Sequence, residues 1–218
     1  MKQEHDDYLV EKYPKLFKNR YADMTETCMC WGFECGDGWF NIINNLCSLI
    51  QGHIDWRNDQ RDRTVKYNAM IQALQAGDAT LFDQYYQSKD PAFLERMRAN
   101  DMVAKPREVA REIPQVVVDQ VKEKFGTLRF YYTGGDDEIS GMVRMAEAMS
   151  SVTCESCAAP TKTNWPEPGG WVTTLCEPCS DRRERDRQRR MQIQDQSKKE
   201  VKHDNNYQFI GEDSGSHD

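Results

Sequence analysis

The chain has 218 residues, 38% apolar and 30% charged, with a formal net charge of −7, enough for one moderate domain with solvated extensions. The negative balance opposes non-specific attraction to nucleic acid or anionic lipid, so either partner would need a local basic patch. No apolar run has the length of a membrane span and the acidic opening Met1–Asp7 has no signal core, so a reducing cytoplasm is expected, where cysteines serve metals or stay free.

Leu9, Tyr13, Leu16 and Phe17 follow helical spacing interrupted by Pro14, which predicts a short helix or two broken turns packed onto the domain. Cys28, Cys30, Cys35 and Cys47 lack regular knuckle spacing and read as buried free thiols more readily than as a second metal site. Cys35–Gly36–Asp37–Gly38–Trp39 is a sharp turn feeding a helix, with Asp37 as the expected N-cap. Beyond it Trp39, Phe40, Ile43, Leu46, Cys47, Ile50 and Ile54 form one apolar stripe, the mark of a central core helix. The interleaved charges of Arg57–Arg63 suit a solvated helix surface or a linker. Helical patterns then resume over Thr64–Ala76, over Ala79–Gln87, and from the Asp90–Pro91 start signal. Residues 57–105 thus read as a helical insertion. Tyr85 and Tyr86 on it, with Trp39, are candidate partner contacts; core packing is the blander role for each.

Val116–Val121 is β-prone, although Val117, Val121 and Phe125 would also share a helical face stopped by Gly126. Either way Phe125 is expected in the core. Thr127–Thr133 reads as a strand ended by Gly134–Gly135, with Leu128, Phe130 and Tyr132 on one face and Arg129 and Tyr131 on the other. Lys122, Lys124, Arg129 and Tyr131 are candidates for an anion-recognising surface, since aromatic and basic side chains on a strand can hold single-stranded nucleic acid. Asp136–Asp137 precedes a helix over Glu138–Ser150, where the crowded carboxylates suit capping.

Cys154–Glu155–Ser156–Cys157 is separated by eighteen residues from Cys176–Glu177–Pro178–Cys179. Two residues between paired cysteines let both sulfurs turn to one ion, and four soft thiolates favour one structural Zn2+. Thr161–Trp165 and Trp171–Leu175 flank turn formers and predict a hairpin between the pairs. A polar helix follows. Knuckle, hairpin, knuckle and helix resemble the treble-clef family of zinc folds. The histidine that treble-clef nucleases need is missing between the pairs, and a shell of four thiolates leaves no position for activated water. Residues 182–202 carry nine basic and four acidic side chains, a net of +5, the one segment whose sign favours phosphate. Arg182, Arg183, Arg185, Arg187, Arg189 and Arg190 wrap around this helix rather than forming one stripe.

The elements predict an α+β protein, mostly helical, with a small antiparallel sheet and a treble-clef-like zinc module. A helical α+β body spans 1–153, the four-cysteine module with its basic helix spans 154–196, and a disordered tail spans 204–218, where Tyr207, Phe209 and Ile210 could form a docking motif. No P-loop, Rossmann fingerprint or HExxH is present, so binding is favoured over catalysis.

Cys35–Gly36–Asp37–Gly38–Trp39–Phe40, the run from Val121 through Phe125–Gly126–Thr127–Leu128 to Tyr131, and the Cys154, Cys157, Cys176, Cys179 quartet together resemble a family of small proteins of tailed bacteriophages and prophages. The resemblance covers roughly 35–56 and 113–180; Thr64–Met102 stands as an insertion relative to shorter members. It implies a phage product in the cytoplasm of the bacterial host, binding a host or phage protein in host takeover or anti-defence. It brings no catalytic residue with it. A nucleic-acid accessory role through Lys122, Lys124, Arg129, Tyr131 and the 182–190 arginines is the alternative.

Overall fold

The computed structural model describes residues 1–166 and 170–208, with side chains through 197. The expectations placed on 209–218, including Phe209 and Ile210, and on the side chain of Tyr207 lie outside the described residues. Helix α1 (Gln3–Lys12) stops because Tyr13 precedes proline and leaves helical geometry, at φ −124° and ψ 57°. The chain then turns so that Tyr13, Leu16 and Phe17 still bury with Leu9. A feature without a sequence signal fixes this segment: the Arg20 guanidinium forks onto both oxygens of nearly buried Asp6, at 2.9 and 2.8 Å, and donates to Cys30 O at 3.0 Å.

Helix α2 (Phe40–Gln75) runs 36 residues without a break. The charged stretch 57–63 is therefore a helix surface, with Arg63 paired to Asp59 one turn back at 2.8 Å. Its first half gives Ile43, Leu46, Cys47, Ile50 and Ile54 to the main core. Its second half gives Tyr67, Met70, Ile71 and Leu74 to a separate cluster completed by Phe82, on helix α3 (Thr80–Tyr85), with Leu94 and Met97, on helix α4 (Pro91–Met102), packed against it. Asp37 does not cap α2. It lies in a 3-10 turn before the helix, and its carboxylate accepts from Lys2 N at 2.8 Å and meets His5 Nδ1 at 2.9 Å.

The sheet has the order β1 (Phe33–Glu34), β2 (Val117–Lys124), β3 (Thr127–Thr133). β2 and β3 are antiparallel, but β1 lies parallel to β2, so the sheet is mixed rather than antiparallel. A bulge at Asp119 lets Val118 and Val121, three apart, both enter the core. The β2–β3 loop is the two residues Phe125 and Gly126, both at positive φ, 53° and 77°, a tight hairpin geometry. This corrects the expected burial of Phe125, whose ring is 63% exposed at the tip.

Helix α5 (Asp137–Ser150) packs on β3 and α2. It buries Ile139, Val143 and Ala146. It also closes the sheet edge: Leu128 N donates to Ser150 Oγ at 2.8 Å and Phe130 N to Glu147 Oε1 at 3.0 Å. Helix α6 (Glu177–Gln208) starts at the second cysteine pair and is exposed at every position from 180 to 197. It continues through Gln208, past residue 204, where a disordered tail is expected from the sequence. Among the described residues no helix is long and apolar enough to cross a membrane.

Candidate metal centre and the adjoining cleft

Each cysteine pair is set by its own turn. In the first, Ala158 N donates to Cys154 O at 2.9 Å and Cys154 N to Ala159 O at 2.8 Å, with Ala158 at φ 65°. In the second, Cys179 N and Ser180 N both donate to Cys176 O as α6 begins. Glu155 N donates to Thr174 O at 2.8 Å, tying the first turn to the chain that leads into the second. Between them the expected hairpin is short, with Asn164 and Thr173 exchanging backbone bonds at 2.7 and 3.3 Å. Thr174 Oγ1 donates to Gly126 O, seating this hairpin on the β2–β3 loop.

The four sulfurs of Cys154, Cys157, Cys176 and Cys179 lie within 4.8 Å of one another, and Cys157 and Cys176 are 3.5 Å apart. A tetrahedral ion with bonds of about 2.3 Å would space sulfurs about 3.8 Å apart, so the residues present fit one metal ion. Burial pushes the Cys154 thiol up, but N–H groups of Cys176, Cys157 and Ser156 outweigh it and bring it to about 7. At Cys176 the Cys179 N–H favours the thiolate, yet desolvation and the neighbouring thiols push it up to about 12. One negative charge settles easily in this cluster and resists the next, and a dication removes that resistance. The other cysteines differ. Burial pushes Cys35 up to about 12 and raises Cys47 as well, and among the described residues Cys28, Cys30, Cys35 and Cys47 do not gather into a metal-ligating group.

The glycine turn before α2 receives the first knuckle. Gly36 N donates to Glu155 Oε1 at 2.9 Å, Gly38 N to Glu155 O at 2.7 Å, and Trp39 Nε1 to Thr153 O at 2.8 Å. A Cβ on Gly38 would stand 2.1 Å from Cys154 O, and one on Gly36 2.3 Å from Glu155 O. Only glycine permits that backbone-to-backbone approach. Trp39 is fully buried, so it packs and does not form a contact surface. Tyr85 is partly exposed, whereas Tyr86 is half-buried and donates to Asp101 Oδ2 at 2.8 Å.

The basic candidates fall into two groups. Arg182, Arg183 and Arg190 line a cleft of about 380 Å³ between the first knuckle, the strand returning from the hairpin and α6, together with Trp171, Glu123, Glu155 and Asp186. Arg185, Arg187 and Arg189 do not line it, and Arg187 pairs with Glu184 at 3.0 Å. Lys122, Lys124, Arg129 and Tyr131 form the second group, on the sheet face opposite the core. There Lys122 Nζ lies 5.4 Å from the Tyr131 ring, while the Arg129 guanidinium turns back to Thr127 Oγ1 and Leu128 O at 2.7 and 2.8 Å. None of these four lines the cleft.

Two features escaped the sequence reading. Trp171, 74% exposed, looked like one more hairpin residue; its signal was a large aromatic at a polar turn beside a metal knuckle. The other is His53, whose Nε2 meets Asp136 Oδ2 at 2.9 Å and whose Nδ1 faces Glu138 Oε2 at 3.5 Å, pinning α2 to the start of α5. These three donors lie within 4.8 Å of one another and could hold a cation, although His53 Nε2 is already hydrogen-bonded to Asp136. Burial raises Asp136, but His53, the Ile139 N–H and Arg57 together hold it below its ordinary value. No family model, curated protein or solved structure matches the chain.

Proposed function

We propose that the protein is a non-enzymatic, zinc-stabilised nucleic-acid-binding accessory protein of a tailed phage, acting in the cytoplasm of the bacterial host. Four thiolates without a harder ligand suit zinc and fill its shell, which makes the ion a brace rather than a reaction centre. The order of knuckle, hairpin, knuckle and helix supports a treble-clef-like module; the residue resemblance supports the phage setting. One observation carries the choice of partner. Arg182, Arg183 and Arg190 share a cleft with an exposed tryptophan, and among the described residues none of the three is held in an ion pair.

This ordering reverses the one expected from the sequence, where the acidic balance, the helical protrusions and the phage resemblance favour a protein partner. A net charge of −7 acts over the whole surface, but beyond about 8 Å it is screened at physiological salt, and a bound phosphate meets the local guanidiniums. Fluorescence anisotropy with labelled single- and double-stranded DNA and RNA is the test. Binding that weakens as salt rises is expected; no binding even at low salt would contradict it.

A host or phage protein as partner is the second reading, favoured by exposed apolar side chains on the same module: Trp165, Met191 and Ile193 are 72, 56 and 53% exposed. Affinity capture from infected cells, repeated after nuclease treatment, separates the two. A partner that survives the nuclease, binds the purified protein directly and is lost on Met191→Ser/Ile193→Ser would support this reading.

A further inference from the structure

We propose that the cleft beside the metal centre seats one nucleotide of a single strand, its base stacked on Trp171 and its phosphates held by Arg182, Arg183 and Arg190. The assignment rests on the nucleic-acid reading above and names the ligand form that this site takes.

The charges in the cleft look balanced on paper, three arginines against Glu123, Glu155 and Asp186, but their duties differ. Glu155 Oε1 accepts from Gly36 N at 2.9 Å and Glu123 Oε1 from Gly126 N at 2.5 Å. Both carboxylates are committed to the backbone that builds the site. The guanidiniums have no such commitment among the described residues. Positions 183, 186 and 190 recur at helical spacing, so α6 presents Arg183 and Arg190 on one stripe with Asp186 between them. Arginine forks suit the paired oxygens of a phosphate, and Asp186 remains as an acceptor for the amino edge of a base.

Trp171 decides between strand forms. Its indole is 74% exposed on the cleft wall, and a planar group can stack on it only when free of its own neighbours. A duplex keeps its bases stacked on each other; a single strand can give one up. The volume of about 380 Å³ lies at the small end of ligand sites, sized for one base and its phosphate. A seat for so few phosphates also fits an acidic protein, which a long duplex would meet with repulsion along most of its length.

The test uses the full-length, zinc-loaded protein and a labelled ten-thymidine DNA, with the matching duplex and inorganic phosphate as comparisons. The single strand is expected to bind more tightly than the duplex. Trp171→Ala should weaken it about tenfold while Trp171→Phe retains most of the affinity. Arg183→Gln and Arg190→Gln should each weaken binding and make the salt dependence shallower by about 0.7 in slope; Arg183→Lys should recover part of the loss. Zinc content and melting temperature should stay unchanged in all of them, because these side chains are exposed, and Arg98→Gln in the distant helical cluster should bind as the parent does. If the oligonucleotide binds but the Trp171 and arginine variants do not alter it, the nucleotide seat is wrong and the nucleic-acid reading survives. Tighter binding of the duplex, or displacement by inorganic phosphate with no effect of Trp171→Ala, would also overturn the seat. Absence of any oligonucleotide binding at low salt removes both.

Discussion

Gly38 shows how one missing side chain can position a cysteine knuckle. Its amide donates to Glu155 O, and the space a Cβ would need is taken by Cys154 O at 2.1 Å and Ala158 N at 2.6 Å. All are backbone atoms of the knuckle, so no rotamer can relieve the clash. Gly38→Ala is therefore expected to cost about 1–3 kcal/mol in urea unfolding and to loosen metal binding with it. Gly52, by contrast, sits within α2 with open space where its Cβ would go. Gly52→Ala should stabilise the protein by about 1 kcal/mol through helix propensity alone. Equal stability of the two variants would refute this account of the turn.

At the scale of elements, α5 depends on Asp136, which caps it through the Ile139 N–H at 3.0 Å and meets His53 at 2.9 Å. Its carboxyl is held low in the folded protein, so its stabilising effect is complete above the ordinary carboxylate value of about 4 and is lost as pH falls through the folded value. Melting temperature followed from pH 7 to 2.5 should fall at the acid end, and Asp136→Asn should flatten that fall. An identical acid limb in the variant would count against the pairing. In the second cluster Tyr67 and Tyr86 donate to the two oxygens of buried Asp101, at 2.9 and 2.8 Å. Asp101→Ala strands both hydroxyls and should cost about 2 kcal/mol, with faster amide exchange in α3 and α4; exchange unchanged there would contradict it.

Periodicity made the first half of α2, α5 and β3 readable in advance, because each shows one apolar face: Ile43 to Ile54, Ile139 to Ala146, and Leu128 with Phe130. The continuity of α2 through the charged stretch 57–63 was not readable. What it could not show were features made by contact. β1 is two residues long and has no period to read, and it joins the sheet only because Phe33 meets Val121. Phe125 is apolar, yet a two-residue loop at positive φ, not burial, sets its position and leaves it exposed. Asp37 had the chemistry of a cap, but Lys2 N and His5 reach its carboxylate first. The same division holds at the site. The four cysteines were legible from spacing, whereas Gly36 and Gly38 touch the knuckle 119 and 116 residues away, beyond any sequence window.

In the molecule as a whole, the four-cysteine cluster lies between parts that share little apolar surface. Among the described residues the main core draws none from beyond Ala146, and every residue of α6 from 180 to 197 is exposed. An ion held by both knuckles would fix the hairpin, the cleft and the base of α6 to the Gly36–Trp39 turn, and its binding energy would become folding energy for that region. Chelation should release the module while the apolar body stays folded. Prior to any functional assay, the metal content of protein purified without chelators or oxidants is the most direct check on this brace. Elemental analysis is expected to find about one zinc per chain, falling to none when Cys154 and Cys179 are replaced by serine. Protein that is folded, fully reduced and free of zinc or any other bound metal would contradict it.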